Sequence, residues 1–175
     1  MMSSSRNLRL TPFAKGFSLF ELIMVMVLLG VVGAVATPLM REGFNAYFTG
    51  KDINETDWQA RVAQERMTRD LRSVRAPADL TITSASDITF TDVDGNSTRY
   101  CMGAVGGCPG IVGELMRNVQ PLATGVSGLT FSYLTRAGAV TGTAAQVFHI
   151  TTGFSVTQNN VSKAVQATVS PRNFP

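Results

Sequence analysis

The sequence predicts an α+β protein in which a long N-terminal helix packs on a small antiparallel β-sheet head. An uncharged run extends from Leu22 to Met40, a helical apolar stripe follows it, and short β-branched runs alternate with turn residues from Asp79 onward. The 175 residues therefore divide into a basic leader (1–16), an anchor helix (17–40), a stalk helix (41–76) and a head (77–175).

The leader carries the charge imbalance of the chain. The formal net charge is +3; Arg6, Arg9 and Lys15 all precede Phe17, whereas all 12 acidic residues follow it. The rest of the chain is neutral overall, so the net charge does not predict a nucleic-acid-binding face. Positive charge on the leader side predicts that this side stays in the cytoplasm and that the head lies outside it.

The run from Leu22 to Met40 is long enough to cross a bilayer. At 1.5 Å per residue, roughly twenty residues span a hydrocarbon core of ~30 Å. A buried helix of a soluble core is the alternative, but such helices usually interleave polar residues. Gly30 and Gly33 leave room for close packing against like helices, and Pro38 removes a helical hydrogen bond, so the helix is expected to kink or unwind locally.

Glu21 is the single acid at the start of this apolar run. An ionisable group at that depth is costly and usually has a partner. Cleavage after Gly16 would free the amine of Phe17, and this cation on one subunit would meet Glu21 on its neighbour. That interpretation makes Phe17 and Glu21 assembly residues; the alternative is that Glu21 reaches the lipid headgroups from the helix end.

The segment GFSLFE (residues 16–21), followed by the uncharged helix, resembles the amino-terminal signature of type IV prepilins and type II secretion pseudopilins. The resemblance implies that a prepilin peptidase cleaves after Gly16 and N-methylates Phe17, which are therefore substrate positions. It also implies that Glu21 registers an incoming subunit and that the helix between Gly30 and Pro38 loses helicity on packing. The implied partners are the peptidase, other pilin or pseudopilin subunits, and inner-membrane lipid.

Three further segments are similar to J-like or W-like minor pilins, including those of mannose-sensitive haemagglutinin pili: residues 66–72 (RMTRDLR), 128–133 (GLTFSY) and 169–173 (VSPRN). The implied function is a minor structural subunit of a type IV pilus-type filament. A J-like type II secretion pseudopilin and a pilus-displayed module that binds DNA or surfaces are the alternatives. The implied location is the bacterial inner membrane, single-pass with a periplasmic head, and afterwards the filament.

The stalk is predicted from apolar residues at spacings of three and four, which would face the sheet of the head. They are Ala60, Ala63, Met67, Leu71 and Val74. Residues 50–57 are polar and contain a glycine and an asparagine, so we expect an interruption there, with Thr56 capping a fresh helix. The opposite face carries five arginines together with Glu65 and Asp70. It suits a solvated charged surface better than a phosphate-binding one, because no aromatic residues alternate with the arginines.

The head is predicted to contain strands over residues 80–83, 88–93, 97–101, 128–134, 146–151 and 164–170. Residues 94–96 (DGN) predict a hairpin turn and not a calcium loop, which needs a later bidentate acid.

Cys101 and Cys108, the only cysteines, favour a disulfide in an oxidising compartment. A metal site would need two more ligands, and His149 is the only histidine. Neither catalysis nor a cofactor is expected, because nucleophile and phosphate-binding motifs are missing.

Overall fold

The computed structural model describes residues 16–174, so the predicted leader lies almost wholly outside the described residues. The chain divides into two compact units, one up to Ala46 and one from Tyr47 onward. A single helix, α1, runs from Leu19 to Arg72. The strands are β1 (Leu80–Ser84), β2 (Asp87–Thr91), β3 (Ser97–Met102), β4 (Glu114–Arg117), β5 (Gln120–Thr124), β6 (Val126–Leu134), β7 (His149–Gln158) and β8 (Val161–Val169). The α+β class is therefore confirmed.

The head contains two antiparallel sheets. Five strands form the first, in the order β1-β2-β3-β4-β5, and three form the second, in the order β6-β7-β8. The predicted hairpin between β2 and β3 is confirmed: Gly95 has a φ of +85°, and Asp92 Oδ1 accepts hydrogen bonds from the backbone N–H groups of Asp94 and Asn96. A glycine suits the left-handed conformation in this turn because it has no Cβ.

The chain passes from the first sheet to the second at Gly125, between β5 and β6. This residue has a φ of +66°, and a Cβ placed on it would lie 2.3 Å from the carbonyl oxygen of Thr157 in β7. The Gly125 carbonyl in turn accepts a hydrogen bond from Thr157 N–H at 2.8 Å. Only glycine combines this backbone conformation with so close an approach.

The predicted apolar stripe of α1 lies in the core of the head. Four of its residues lie in the helix and are fully buried: Ala60, Ala63, Met67 and Leu71. Val74, just past the helix end at Arg72, is also fully buried, and all five belong to one cluster with apolar residues of both sheets. Phe90 of β2 stacks on Tyr100 of β3 in the same cluster, with ring centroids 6.3 Å apart. Burial of this stripe contributes roughly 25 cal/mol per Å² of apolar surface removed from water, which fixes the second half of the helix on the sheets.

The interruption expected at residues 50–57 was wrong, because α1 is continuous through this segment. Thr56 does not cap a new helix: it is fully buried, and its hydroxyl donates to the Asp52 carbonyl at 2.7 Å, within the helix. Asp52 also accepts a hydrogen bond from Asn159, in the turn between β7 and β8, at 3.1 Å. Tertiary contacts thus outweigh the weak helical propensity of glycine and asparagine here.

Candidate functional site

Gly16 and Phe17, the predicted processing positions, lie in irregular backbone directly before α1. Phe17 is 79% exposed, and a Cβ on Gly16 would meet no atom within 4 Å. The helix begins two residues later, and Leu22 N–H donates to the Ser18 carbonyl at 3.1 Å. No described residue therefore blocks access to the Gly16–Phe17 peptide bond. Such access is necessary for cleavage by a protease.

The anchor segment of α1 has no covering layer within the described chain. Every residue from Phe17 to Phe48 is exposed except Ala36, which is half-buried. By length and composition this helix is able to cross a membrane, which is consistent with a single-pass anchor. An exposed apolar surface of this extent is typical of sites that contact a membrane or another protein.

Glu21 is the only charged residue between Phe17 and Met40. It lies in the first turn of α1, is exposed, and makes no ion pair with another described residue. The first turn carries the positive end of the helix dipole, which favours a carboxylate but only over about one turn. In a membrane, this carboxylate would still need a cation to offset its loss of water.

Gly30 and Pro38 lie inside the uninterrupted helix. A Cβ at Gly30 or Gly33 would meet nothing within 4 Å, so the isolated chain gives no steric reason for glycine at either position. Pro38 cannot donate a backbone hydrogen bond to the Ala34 carbonyl. The hydroxyl of the neighbouring Thr37 donates to the Gly33 carbonyl at 2.7 Å. The kink or loss of helicity expected between Gly30 and Pro38 stays a prediction for the packed state.

A polar cluster joins the stalk part of α1 to the first sheet. Asp70 accepts hydrogen bonds from Tyr100 Oη at 2.8 Å and from Arg117 Nε at 2.7 Å, and Arg66 lies 3.4 Å from its other oxygen. The hydrogen bond to Asp70 raises the pKa of Arg117, and burial together with the negative charge of Asp70 raises the pKa of Tyr100. Sequence reasoning had placed Asp70 on a solvated face, because its partners come from distant strands.

The predicted disulfide between Cys101 and Cys108 is present, with the Cα atoms 5.9 Å apart. Together with Met116 these residues form a small buried cluster separate from the main core. Arg99 holds the enclosed loop: it pairs with Asp87 at 2.6 Å and donates to the carbonyls of Gly106 and Gly107. The bond therefore belongs to the scaffold of the head.

Comparisons with protein families and with curated proteins found nothing similar: no family model matches this chain, and no curated protein matches it. The interpretation of the chain therefore rests on its own residues. Among residues 16–174, no group of three or more His, Cys, Asp or Glu side chains is placed to hold a metal ion.

Proposed function

We propose that this chain is a minor structural subunit of a type IV pilus-type filament, inserted through its N-terminal helix after removal of residues 1–16. The observation that carries the proposal is the segment GFSLFE, followed at residues 22–40 by a charge-free part of α1 that is exposed in the described chain except at the half-buried Ala36. A helix of this kind meets two needs in succession: it holds the subunit in the membrane before assembly, and it packs among like helices afterwards.

One charge pair sets the axial position of the subunit in the filament. Removal of residues 1–16 leaves Phe17 with a free, positively charged amine, and Glu21 is the only acid in the apolar segment. In a medium of low dielectric constant, an amine of one subunit attracts the carboxylate of its neighbour far more strongly than in water. Because a misplaced subunit leaves this carboxylate without a cation, the pair selects a single axial register.

Two alternatives share the same anchor. A J-like pseudopilin of a type II secretion system would use the same processing and helix packing, and deletion of the chain would then abolish protein export and leave surface pili intact. A single-pass membrane protein that never polymerises would keep its first sixteen residues. The first alternative concerns which filament the chain joins, whereas the second contradicts the proposal.

The experiment is an intact-mass measurement on the full-length gene product purified from membranes. We expect the loss of residues 1–16 and the addition of one methyl group. Gly16→Leu should leave residues 1–16 attached, because the peptidase needs a small residue before the scissile bond, and Gly30→Leu is the matched control that should still be cut. A Cβ added at either glycine would meet no atom of residues 16–174 within 4 Å, so misfolding would not explain a difference. An uncut wild-type protein would overturn the proposal.

A further inference from the structure

Among residues 16–174, β8 forms the longest regular strand edge of the head that has no hydrogen-bonded neighbour. β8 pairs only with β7, in an uninterrupted register of nine residue pairs. The other edges are interrupted: β1 has a register irregularity, β5 contains Pro121, and Phe131 N–H of β6 donates to the Ala85 carbonyl. Proteins normally protect such an edge with proline, bulges or charge, because its free N–H and C=O groups pair readily with another strand.

The turn between β7 and β8 determines which backbone groups are free. Asn159 and Asn160 form a two-residue loop, and both have positive φ values of 45° and 68°, as in a type I′ turn. Such a turn makes Gln158 and Val161 a hydrogen-bonded pair, and hydrogen bonds then recur at every second residue. The odd-numbered residues of β8 therefore bond to β7. The outward N–H and C=O groups belong to Ser162, Ala164, Gln166 and Thr168.

The single charged residue of β8 does not prevent another strand from pairing with this edge. Lys163 pairs with Asp57 of α1 at 3.0 Å, so its ammonium group is held toward the helix. A lysine that reaches into solvent would repel an incoming strand, but this ammonium group is held by the Asp57 carboxylate, which it shares with Arg61. The edge is thus regular in geometry, and its one charged side chain does little to prevent pairing with another strand.

A groove begins beside this edge and continues between α1 and the C-terminal part of the chain, where it becomes basic. One section, of about 480 Å³, lies between helix residues Arg61–Thr68 and strand residues Lys163–Gln166. An adjoining section, of about 530 Å³, shares Glu65 and Thr68 with the first. Its basic lining residues are Arg69, Arg72 and Arg172. Glu65 pairs with Arg69, whereas Arg72 and Arg172 have no acidic partner among residues 16–174.

We infer that the groove beside β8 binds an extended, acidic segment of another polypeptide, which adds to the second sheet as a fourth strand. The outward backbone groups of β8 would supply main-chain hydrogen bonds, as in other cases of strand addition. Side chains of an added strand alternate between the two faces of a sheet. Every second residue of the ligand therefore faces the groove, where acidic residues would reach Arg61 beside β8 and Arg72 and Arg172 in the adjoining section.

Electrostatics distinguishes this ligand from two others. Edge-to-edge pairing of two copies would bring two basic grooves together, and like charges at an interface cost several kcal/mol. A single-stranded nucleic acid would satisfy the arginines, but such ligands usually stack their bases on aromatic side chains. No aromatic residue is among the described residues that line either section of the groove. The inference uses the head and the C-terminal part of α1, and it does not depend on the proposed filament role.

The test measures fluorescence anisotropy of a labelled nine-residue peptide of alternating glutamate and threonine, with the full-length protein in detergent micelles. We expect saturable binding that weakens as salt rises, and no binding when lysine replaces glutamate. The same peptide N-methylated on alternate residues cannot donate to β8 and should bind at least tenfold more weakly. This second probe leaves the protein unchanged, so it keeps the test decisive even where a variant fails to fold.

Two pairs of variants separate strand pairing from charge. Ala164→Pro removes an outward N–H without loss of a hydrogen bond to β7 and should weaken binding at least tenfold, whereas Ala164→Val keeps the N–H and should bind normally. Arg72→Glu should also weaken binding, and Arg136→Glu, an exposed site outside the groove, should not. Amide exchange at Ser162, Ala164, Gln166 and Thr168 should be fast in the free protein and slow once the peptide binds.

Three results would overturn the inference. Equal binding of the methylated and unmethylated peptides would show that charge alone holds the ligand. Binding of a single-stranded oligonucleotide without any binding of the peptide would assign the groove to phosphates. Cross-linked dimers that Ala164→Pro abolishes would assign the edge to a second copy of the chain.

Discussion

Glu21 is the residue on which the proposed assembly depends, and the structure leaves its carboxylate exposed in the first turn of α1. We expect Glu21→Ala to leave membrane insertion intact, since an uncharged residue enters lipid more easily. The same change should lower incorporation into filaments, because the Phe17 amine of the neighbouring subunit loses its partner. The measurement is the ratio of the subunit in sheared filaments to that in membranes. Glu42→Ala, on the same helix beyond the apolar run, is the control, and normal incorporation of Glu21→Ala would contradict the assigned role.

Asp70 illustrates a residue whose importance lies in tertiary contacts. Asp70→Asn leaves Arg117 and Tyr100 without their carboxylate, and we expect a loss of about 1–3 kcal/mol in the free energy of unfolding of the head. Tyr100→Phe removes only the hydroxyl and should cost about 1 kcal/mol. The double variant should lose less than the sum, because both changes remove one shared hydrogen bond. Denaturant unfolding of the full chain in detergent, followed by near-ultraviolet circular dichroism, measures this; strict additivity would refute the shared cluster.

At the scale of elements, sequence reasoning succeeded where local chemistry decides the structure. The period of the apolar stripe predicted the buried face of α1, and Gly95 predicted the turn between β2 and β3. It failed where partners are distant in sequence: β4 and β5 were missed, since their short segments ELMR and QPLAT lack a β-branched run. The end of β7 was missed because Gly153 interrupts its pattern. The sequence did not predict the groove beside β8, because an edge strand can be identified only when the order of the strands in the sheet is known.

Met67 tests the contact between the stalk and the sheets directly. Its side chain is fully buried in the core cluster, and Met67→Ala should lower the free energy of unfolding by about 2–5 kcal/mol, as cavities in packed cores do. Val62→Ala is the matched control on the same helix: Val62 is 38% exposed, so a loss of less than about 1 kcal/mol is expected. The measurement compares the denaturant midpoints of the two full-length variants in detergent with that of the wild type. Equal losses at the two positions would mean that the stripe does not hold the helix on the sheets.

For the whole molecule, the pKa shifts predict instability of the head at both extremes of pH. Hydrogen bonds from Arg61, from Arg75 and from the Asn96 backbone lower the pKa values of Asp57, Asp79 and Asp92 below the ordinary 3.8. The stability that these groups contribute is present above pH 3.8 and is lost as pH falls through their lowered values. Asp92→Asn should make the urea midpoint less sensitive to acid. Asp94→Asn should not, since this neighbour accepts no side-chain hydrogen bond among residues 16–174. Identical acid curves for the two variants would contradict this assignment.

The alkaline limit follows from two tyrosines. Burial, reinforced by the charges of Asp70 and Asp87 respectively, raises the pKa values of Tyr100 and Tyr133 above the ordinary 10. An unfolded chain releases these phenol protons near pH 10 while the folded head retains them, so stability falls as pH rises above 10. Tyr133 Oη is buried without a hydrogen-bond partner in the described chain. Tyr133→Phe should therefore raise the urea midpoint at neutral pH and flatten its alkaline decline. The exposed Tyr47→Phe should do neither, and an unchanged decline in Tyr133→Phe would assign the alkaline limit to other groups.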